Sequence, residues 1–148
     1  MKKVIAASIM AMALTTGASA GVTVGLGYAA GSSNAHEAPA VRVPIDFDFG
    51  LRVEPELGFG KNIWTTGVGV YYTFMKVEDV NLFAGGRFAY TDGKYDNGTS
   101  LQGLVGGEYF LVPNKFSIAA QVGLEGANGD LNNNEFGTVG AVIGHFFF

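Results

Sequence analysis

Apolar residues alternate with polar or small ones along most of this chain. From Val41 the odd positions read Val41, Val43, Ile45, Phe47, Phe49, Leu51, Val53, then Leu57 and Phe59. The even positions read Arg42, Pro44, Asp46, Asp48, Gly50, Arg52, Glu54 and Glu56. A period of two marks a β-strand with one apolar face, because successive side chains point to opposite sides of the pleat. The same pattern runs through Val22, Val24, Leu26 and Tyr28, set against Thr23, Gly25 and Gly27. It recurs in Val68, Val70, Tyr72 and Phe74, and in Leu82, Ala84, Phe88 and Tyr90 opposite Arg87. Leu101, Val105, Tyr109 and Leu111 oppose Gln102 and Glu108. Phe116, Ile118, Ala120, Val122 and Leu124 oppose Ser117, Gln121 and Glu125, and a last strand runs from Phe136 to Phe148.

Polar or small segments separate these runs. Residues 30–38, 60–66, 91–100 and 127–135 read as longer loops, rich in Gly, Asn, Asp and Ser. The connections near Gly50, at Met75–Asp79 and at Val112–Lys115 read as short turns. The apolar phase flips from odd to even across Val112–Lys115, as an even-length turn requires.

The first twenty residues change the picture. Met1-Lys2-Lys3, the apolar stretch Val4–Leu14 and Ala18-Ser19-Ala20 are the basic region, apolar region and A-x-A cleavage site of a secretory signal peptide. The apolar stretch is too short for a transmembrane helix. An exported chain of alternating strands can enter a membrane only as a closed barrel, because lipid cannot satisfy an open sheet edge. Crossing takes roughly 9–11 residues per strand, so the long phase from Val41 must be two strands, 40–49 and 53–60. An unbroken phase across their hairpin predicts an odd-length turn near Gly50, of the kind that commonly carries a bulge. Removing residues 1–20 from the 148 leaves 128 for one domain, 21–148. That length fits eight strands of about ten residues with turns and loops. The predicted fold is therefore all-β, an eight-stranded antiparallel up-and-down transmembrane β-barrel in the Gram-negative outer membrane.

Without Lys2 and Lys3 the chain keeps seven basic and thirteen acidic residues, which argues against a nucleic-acid partner. It has no cysteine, hence no disulfide, thiolate metal site or cysteine nucleophile. All three arginines lie on the polar phase of strands, while Lys61, Lys76, Lys94 and Lys115 fall in expected turns or loops. Guanidinium suits buried multidentate pairing better than ammonium does. An eight-stranded barrel is just wide enough for side chains to fill it. The lumen is thus expected to hold a network of Arg42, Arg52 and Arg87 with Asp46, Asp48, Glu54, Glu56, Glu108 and Glu125. A filled polar core is the first reading of that network. A narrow cation-preferring path is the second, since carboxylates outnumber arginines. Aromatic residues should form two girdles on the outer face. Tyr72, Phe74, Phe83, Tyr109, Phe116, Phe146 and Phe148 belong to the periplasmic one, and Tyr28, Phe59, Trp64, Phe88, Tyr90 and Phe136 to the outer one. A soluble β-sandwich would not explain charges on the inward side of so many strands.

Candidate chemistry is sparse. His36 lies near Ser32, Ser33 and Glu37, but neighbours in one loop do not hold triad geometry. His145 reads as a periplasmic-rim residue. No histidine pair has metal-ligand spacing. Asp92, Asp96 and Asn97, or Asp130 with Asn132–Asn134, lack the regular spacing of a calcium loop. Gly25–Gly27 and Gly67–Gly69 precede no helix, which excludes a nucleotide-binding turn. The sequon Asn97-Gly98-Thr99 carries no meaning in an exported bacterial protein. No catalytic residue, cofactor or metal is expected.

Gly50-Leu-Arg-Val-Glu-Pro-Glu-Leu-Gly58, Gly67-Val-Gly-Val-Tyr-Tyr72, Phe83-Ala-Gly-Gly-Arg87 and the Phe-terminated last strand resemble the small bacterial outer-membrane β-barrel proteins. These are the OmpX/OmpA-like and opacity-type outer membrane protein beta-barrel domain group. The resemblance implies external loops, contact with outer-membrane lipid and lipopolysaccharide, and a monomer. It also implies that Phe146 and Phe148 are the aromatic positions of the insertion signal read by the barrel-assembly machinery. The glycine of that signal is displaced here, to Gly144. Members act as adhesins, envelope-stabilising proteins or small pores, and some barrels modify lipid A. A non-enzymatic structural or surface-interaction role is the expectation, with a narrow pore and a lipid A-modifying enzyme as alternatives.

Overall fold

The computed structural model describes residues 21–32, 39–60, 62–93, 97–129 and 135–148. Residues 1–20, read above as a signal peptide, residues 33–38 with His36, Lys61, residues 94–96 and residues 130–134 lie outside the described residues. Alternation becomes nine strand segments: β1 (Val22–Ser32), β2 (Ala40–Arg42), β3 (Ile45–Phe47), β4 (Leu51–Gly60), β5 (Ile63–Val77), β6 (Val80–Gly93), β7 (Asn97–Val112), β8 (Phe116–Gly129) and β9 (Glu135–Phe147).

Segments β2 and β3 are one barrel strand notched at Pro44. Val24↔Ile45 and Gly27↔Arg42 share one register with β1, and Ile45↔Val53 and Arg42↔Glu56 share one register with β4. Proline has no N–H to give the ladder. Its carbonyl still accepts from Gly25 N–H at 2.9 Å, and Val43 N–H reaches Pro55 O at 2.9 Å. Each later strand pairs antiparallel with its predecessor, and β9 returns to β1 from Gly25↔Phe147 to Ser32↔Gly140. The protein is a closed eight-stranded antiparallel up-and-down barrel. Closure leaves no edge through the paired region.

The unbroken phase from Val41 is explained by a three-residue turn, 48–50, with Gly50 N–H bonded to Phe47 O at 2.9 Å and Gly50 at φ 88°. A non-glycine residue would be strained there. At the next short turn, Glu78 and Asp79 alone link Val77 to Val80, so Met75–Val77, expected in the turn, belong to β5. Phe74 is the extra residue of a bulge there. The flip across residues 112–115 has a different origin from a simple four-residue turn. Residues 113–115 form the turn, with Pro113 followed by Asn114 at φ 56°, and a bulge at Leu111 shifts the phase.

The opposite connections are shorter than their composition implies. Strand β1 runs to Ser32, β6 to Gly93, β7 starts at Asn97, β8 ends at Gly129 and β9 begins at Glu135. Tyr90↔Thr99, Thr91↔Gly98 and Asp92↔Asn97 continue the ladder through a stretch read as loop. Backbone pairing needs only a registered neighbour, and the apolar strand centres have already set the register.

Candidate functional site

The barrel is inverted relative to a soluble domain. Leu26, Val70, Tyr72, Leu101, Val105, Val122 and Val142 are exposed on the outside, whereas Arg42, Glu54, Arg87, Gln102, Glu108 and Glu125 are buried in the lumen. Period two places Arg52, Glu54 and Glu56 side by side on the inner face of β4. Cross-strand register then supplies their nearest partners: Arg42 lies directly opposite Glu56, and Asp46 opposite Arg52. Arg87 is likewise opposite Gln102, and Gln102 opposite Glu125.

The contacts form a continuous network. Arg42 Nη1 donates to Glu54 Oε1 at 3.1 Å, and its Nε lies 3.0 Å from Glu56 Oε2. Arg87 donates to the same Glu56 from Nε at 2.8 Å and from Nη2, and to Gln102 Oε1 at 3.0 Å. Gln102 Nε2 passes the chain on to Glu125 at 2.9 Å. Arg52 forks twice. It holds both oxygens of Asp46 at 2.5 and 2.9 Å, and both oxygens of Glu108 at 3.3 and 2.8 Å. Glu108 also accepts from Ser117 Oγ at 2.6 Å and meets His145 Nδ1 at 3.0 Å. His145 Nε2 is 3.3 Å from Glu54 Oε2.

Eight of the nine charged residues read from the sequence as luminal thus meet in the lumen, three guanidiniums with five carboxylates. Asp48 does not. It sits exposed in the 48–50 turn, because the turn carries its side chain to the barrel mouth. His145 also departs from expectation. It is 1% exposed inside the lumen, not at the rim. Phe146 and Phe148 face out at 50% and 60% exposure, and the same alternation, applied to β9, points His145 and Phe147 inward.

Two further expectations are corrected. Phe83 is buried and packs edge-on against Tyr71 at 5.5 Å, because it shares the inward phase of Arg87 instead of joining the girdle expected at the short-turn end. Lys76 lies in β5, exposed beside the Glu78–Asp79 turn. The lumen is therefore mixed. Tyr71, Phe83, Leu104, Ala119, Val139 and Ile143 form an apolar cluster beside the charges. Outside, Val24 and Val43 keep the outward phase yet are buried together with Val22 and Ile45 alongside. The remaining aromatics of the short-turn side are exposed, and at the other end Trp64 packs on Tyr90 at 5.9 Å.

At the short-turn end a cavity of about 410 Å³ is lined by Asp46, Asp48, Lys76, Glu78 and Asp79, with Arg52, Phe110 and Phe147 among its walls. The Arg52 guanidinium stacks over the Phe147 ring at 5.6 Å, and Phe110 lies 5.9 Å from that ring. Phe147 is only 1% exposed. Arg52 and Asp46 line the cavity and belong to the network, so the two adjoin directly at a floor that Phe110 and Phe147 complete. At the other end Asp92 and Asn97 are cross-strand partners, with Gly93 N–H reaching Asn97 Oδ1 at 3.3 Å. No protein-family model matches the chain, and no curated protein matches it.

Proposed function

We propose that this chain is an integral outer-membrane β-barrel protein with a non-enzymatic, structural or surface-interaction role. The observation that carries this reading is the partition of side chains: large apolar groups exposed around the outside, charged pairs buried within. Water penalises such a surface, and lipid rewards it. The signal-peptide pattern of residues 1–20 supports export, with that segment removed from the mature domain 21–148. In this reading the short turns face the periplasm, and the opposite ends of the strands present the contact surface outside. Lipid and lipopolysaccharide surround a monomer, and Phe146 and Phe148 serve the barrel-assembly machinery as its insertion signal.

The absence of cysteine makes a clean test possible. Single cysteines at Val70, Val105 and Gln102, each carrying a fluorophore, are reconstituted with quencher-bearing lipids. Quenching at Val70 and Val105 but not at Gln102 is expected. Equal, weak quenching at all three would end the membrane reading.

A narrow cation-preferring pore is the second reading. Its support is the excess of carboxylates over guanidiniums in the lumen and the acidic residues of the short-turn cavity. The floor of Arg52, Phe110 and Phe147 favours the filled, non-conducting form.

A further inference from the structure

His145 stands between two carboxylates that come from different strands. Its Nδ1 makes a hydrogen-bonded contact with Glu108 Oε1 on β7 at 3.0 Å, whereas its Nε2 approaches Glu54 Oε2 on β4 at 3.3 Å as an ion pair without hydrogen-bond geometry. An ionised carboxylate can only accept a hydrogen bond, and a neutral imidazole has one N–H. Only the doubly protonated ring offers a donor to each neighbour.

The surroundings leave the ring little choice of direction. A Cβ placed on Gly27 of β1 would come within 2.5 Å of His145 Cδ2, so the ring lies directly against that backbone. The Phe147 ring is 5.8 Å away on β9 itself. The charged groups behind the two carboxylates hold them in place. Arg52 grips Glu108 at 2.8 Å, Arg42 grips Glu54 at 3.1 Å, and Ser117 of β8 donates to Glu108 at 2.6 Å. If the ring loses a proton, a nitrogen lone pair faces a fixed carboxylate, and attraction becomes repulsion.

We infer that His145 is a proton-operated latch, tying β9 to β4 and β7 across the lumen when both ring nitrogens carry protons and releasing one carboxylate when a proton leaves. Among the described residues backbone pairing joins β9 only to β8 and β1, so this ring adds a cross-lumen tie that those ladders do not provide. Histidine is the side chain suited to such a switch, since its proton exchanges near neutral pH. The tie is made in acid and weakened in alkali.

The test uses the refolded wild-type chain with ¹⁵N-labelled imidazole, observed from about pH 5 to about pH 9. Two protonated ring nitrogens should give way to a single tautomer, and the Glu54 and Glu108 backbone amides should shift with the same midpoint. In parallel urea titrations the folded-to-unfolded ratio should fall by up to about tenfold per pH unit between about pH 6.5, where an unfolded histidine loses its proton, and the midpoint of the folded ring's own titration. His145→Gln, which keeps one donor and cannot titrate, should remove that slope. A ring that stays neutral throughout with unmoved amides, or an undiminished slope in His145→Gln, would overturn the latch. If His145→Gln does not fold, the wild-type resonances decide alone.

Discussion

Arg52 and Glu108 meet across the lumen with Nη2 2.8 Å from Oε2, although 56 residues separate them in sequence. Neither residue is a cross-strand neighbour of the other. Only closure of the barrel brings β4 and β7 into reach, so this pair reports the closed fold independently of the β1–β9 ladder that seals it.

Glu108→Ala should therefore be among the most damaging single changes. It leaves one fork of Arg52 empty and removes the acceptor used by Ser117 and His145. Breaking one side of a buried pair costs about 3–5 kcal/mol, to be read as a shift in the urea midpoint of the folded species. A loss below about 1 kcal/mol would mean that the pair is solvated like a surface ion pair.

Arg52→Lys should restore little of the native stability. The guanidinium grips two carboxylates with parallel bonds, and an ammonium cannot reproduce two forks at once. Unfolding midpoints of Arg52→Lys and Arg52→Ala should fall close together. A lysine variant as stable as wild type would show that charge alone suffices.

Val70 is exposed on the outer face near the middle of β5. Placing arginine there should cost about 2–4 kcal/mol if that face meets the bilayer midplane. The penalty should appear in lipid vesicles as a lower urea midpoint. Unchanged stability of Val70→Arg in vesicles would contradict a lipid-facing surface.

Two glycines provide a matched pair. A Cβ on Gly27 would meet His145 Cδ2 at 2.5 Å, while Gly144 has nothing within 4 Å. Gly27→Ala should destabilise by about 1–3 kcal/mol through overpacking. Gly144→Ala should be neutral or stabilising by up to about 1 kcal/mol. Thermal loss of the compact band on gels measures both, and a reversed order would mean that the inward and outward phases are exchanged.

Much of this arrangement was legible in the alternation, because parity alone sends Arg42, Arg52, Glu54, Glu56 and Arg87 inward. Parity also holds His145 and Phe83 inside, but their residue types pointed elsewhere: a histidine beside the last aromatics, and a phenylalanine in a segment rich in them. Which charges pair was not legible. Arg42 with Glu56 follows from register between adjacent strands, yet Arg52 with Glu108 depends on how far the closed sheet is sheared. Asp48 was misplaced because a three-residue turn keeps the apolar phase while lifting its own side chains off the sheet. The stretch Thr91–Ser100 read as loop from Asp, Gly and Asn, whereas backbone ladders extend through Asp92↔Asn97 regardless of those side chains.

The most direct test of the central claim is the gel mobility of the protein from purified outer membranes, with and without boiling. A faster unboiled band, protease-resistant except at its connections, is the expected result for a closed barrel in that membrane. A single unshifted band in the soluble periplasmic fraction would contradict it.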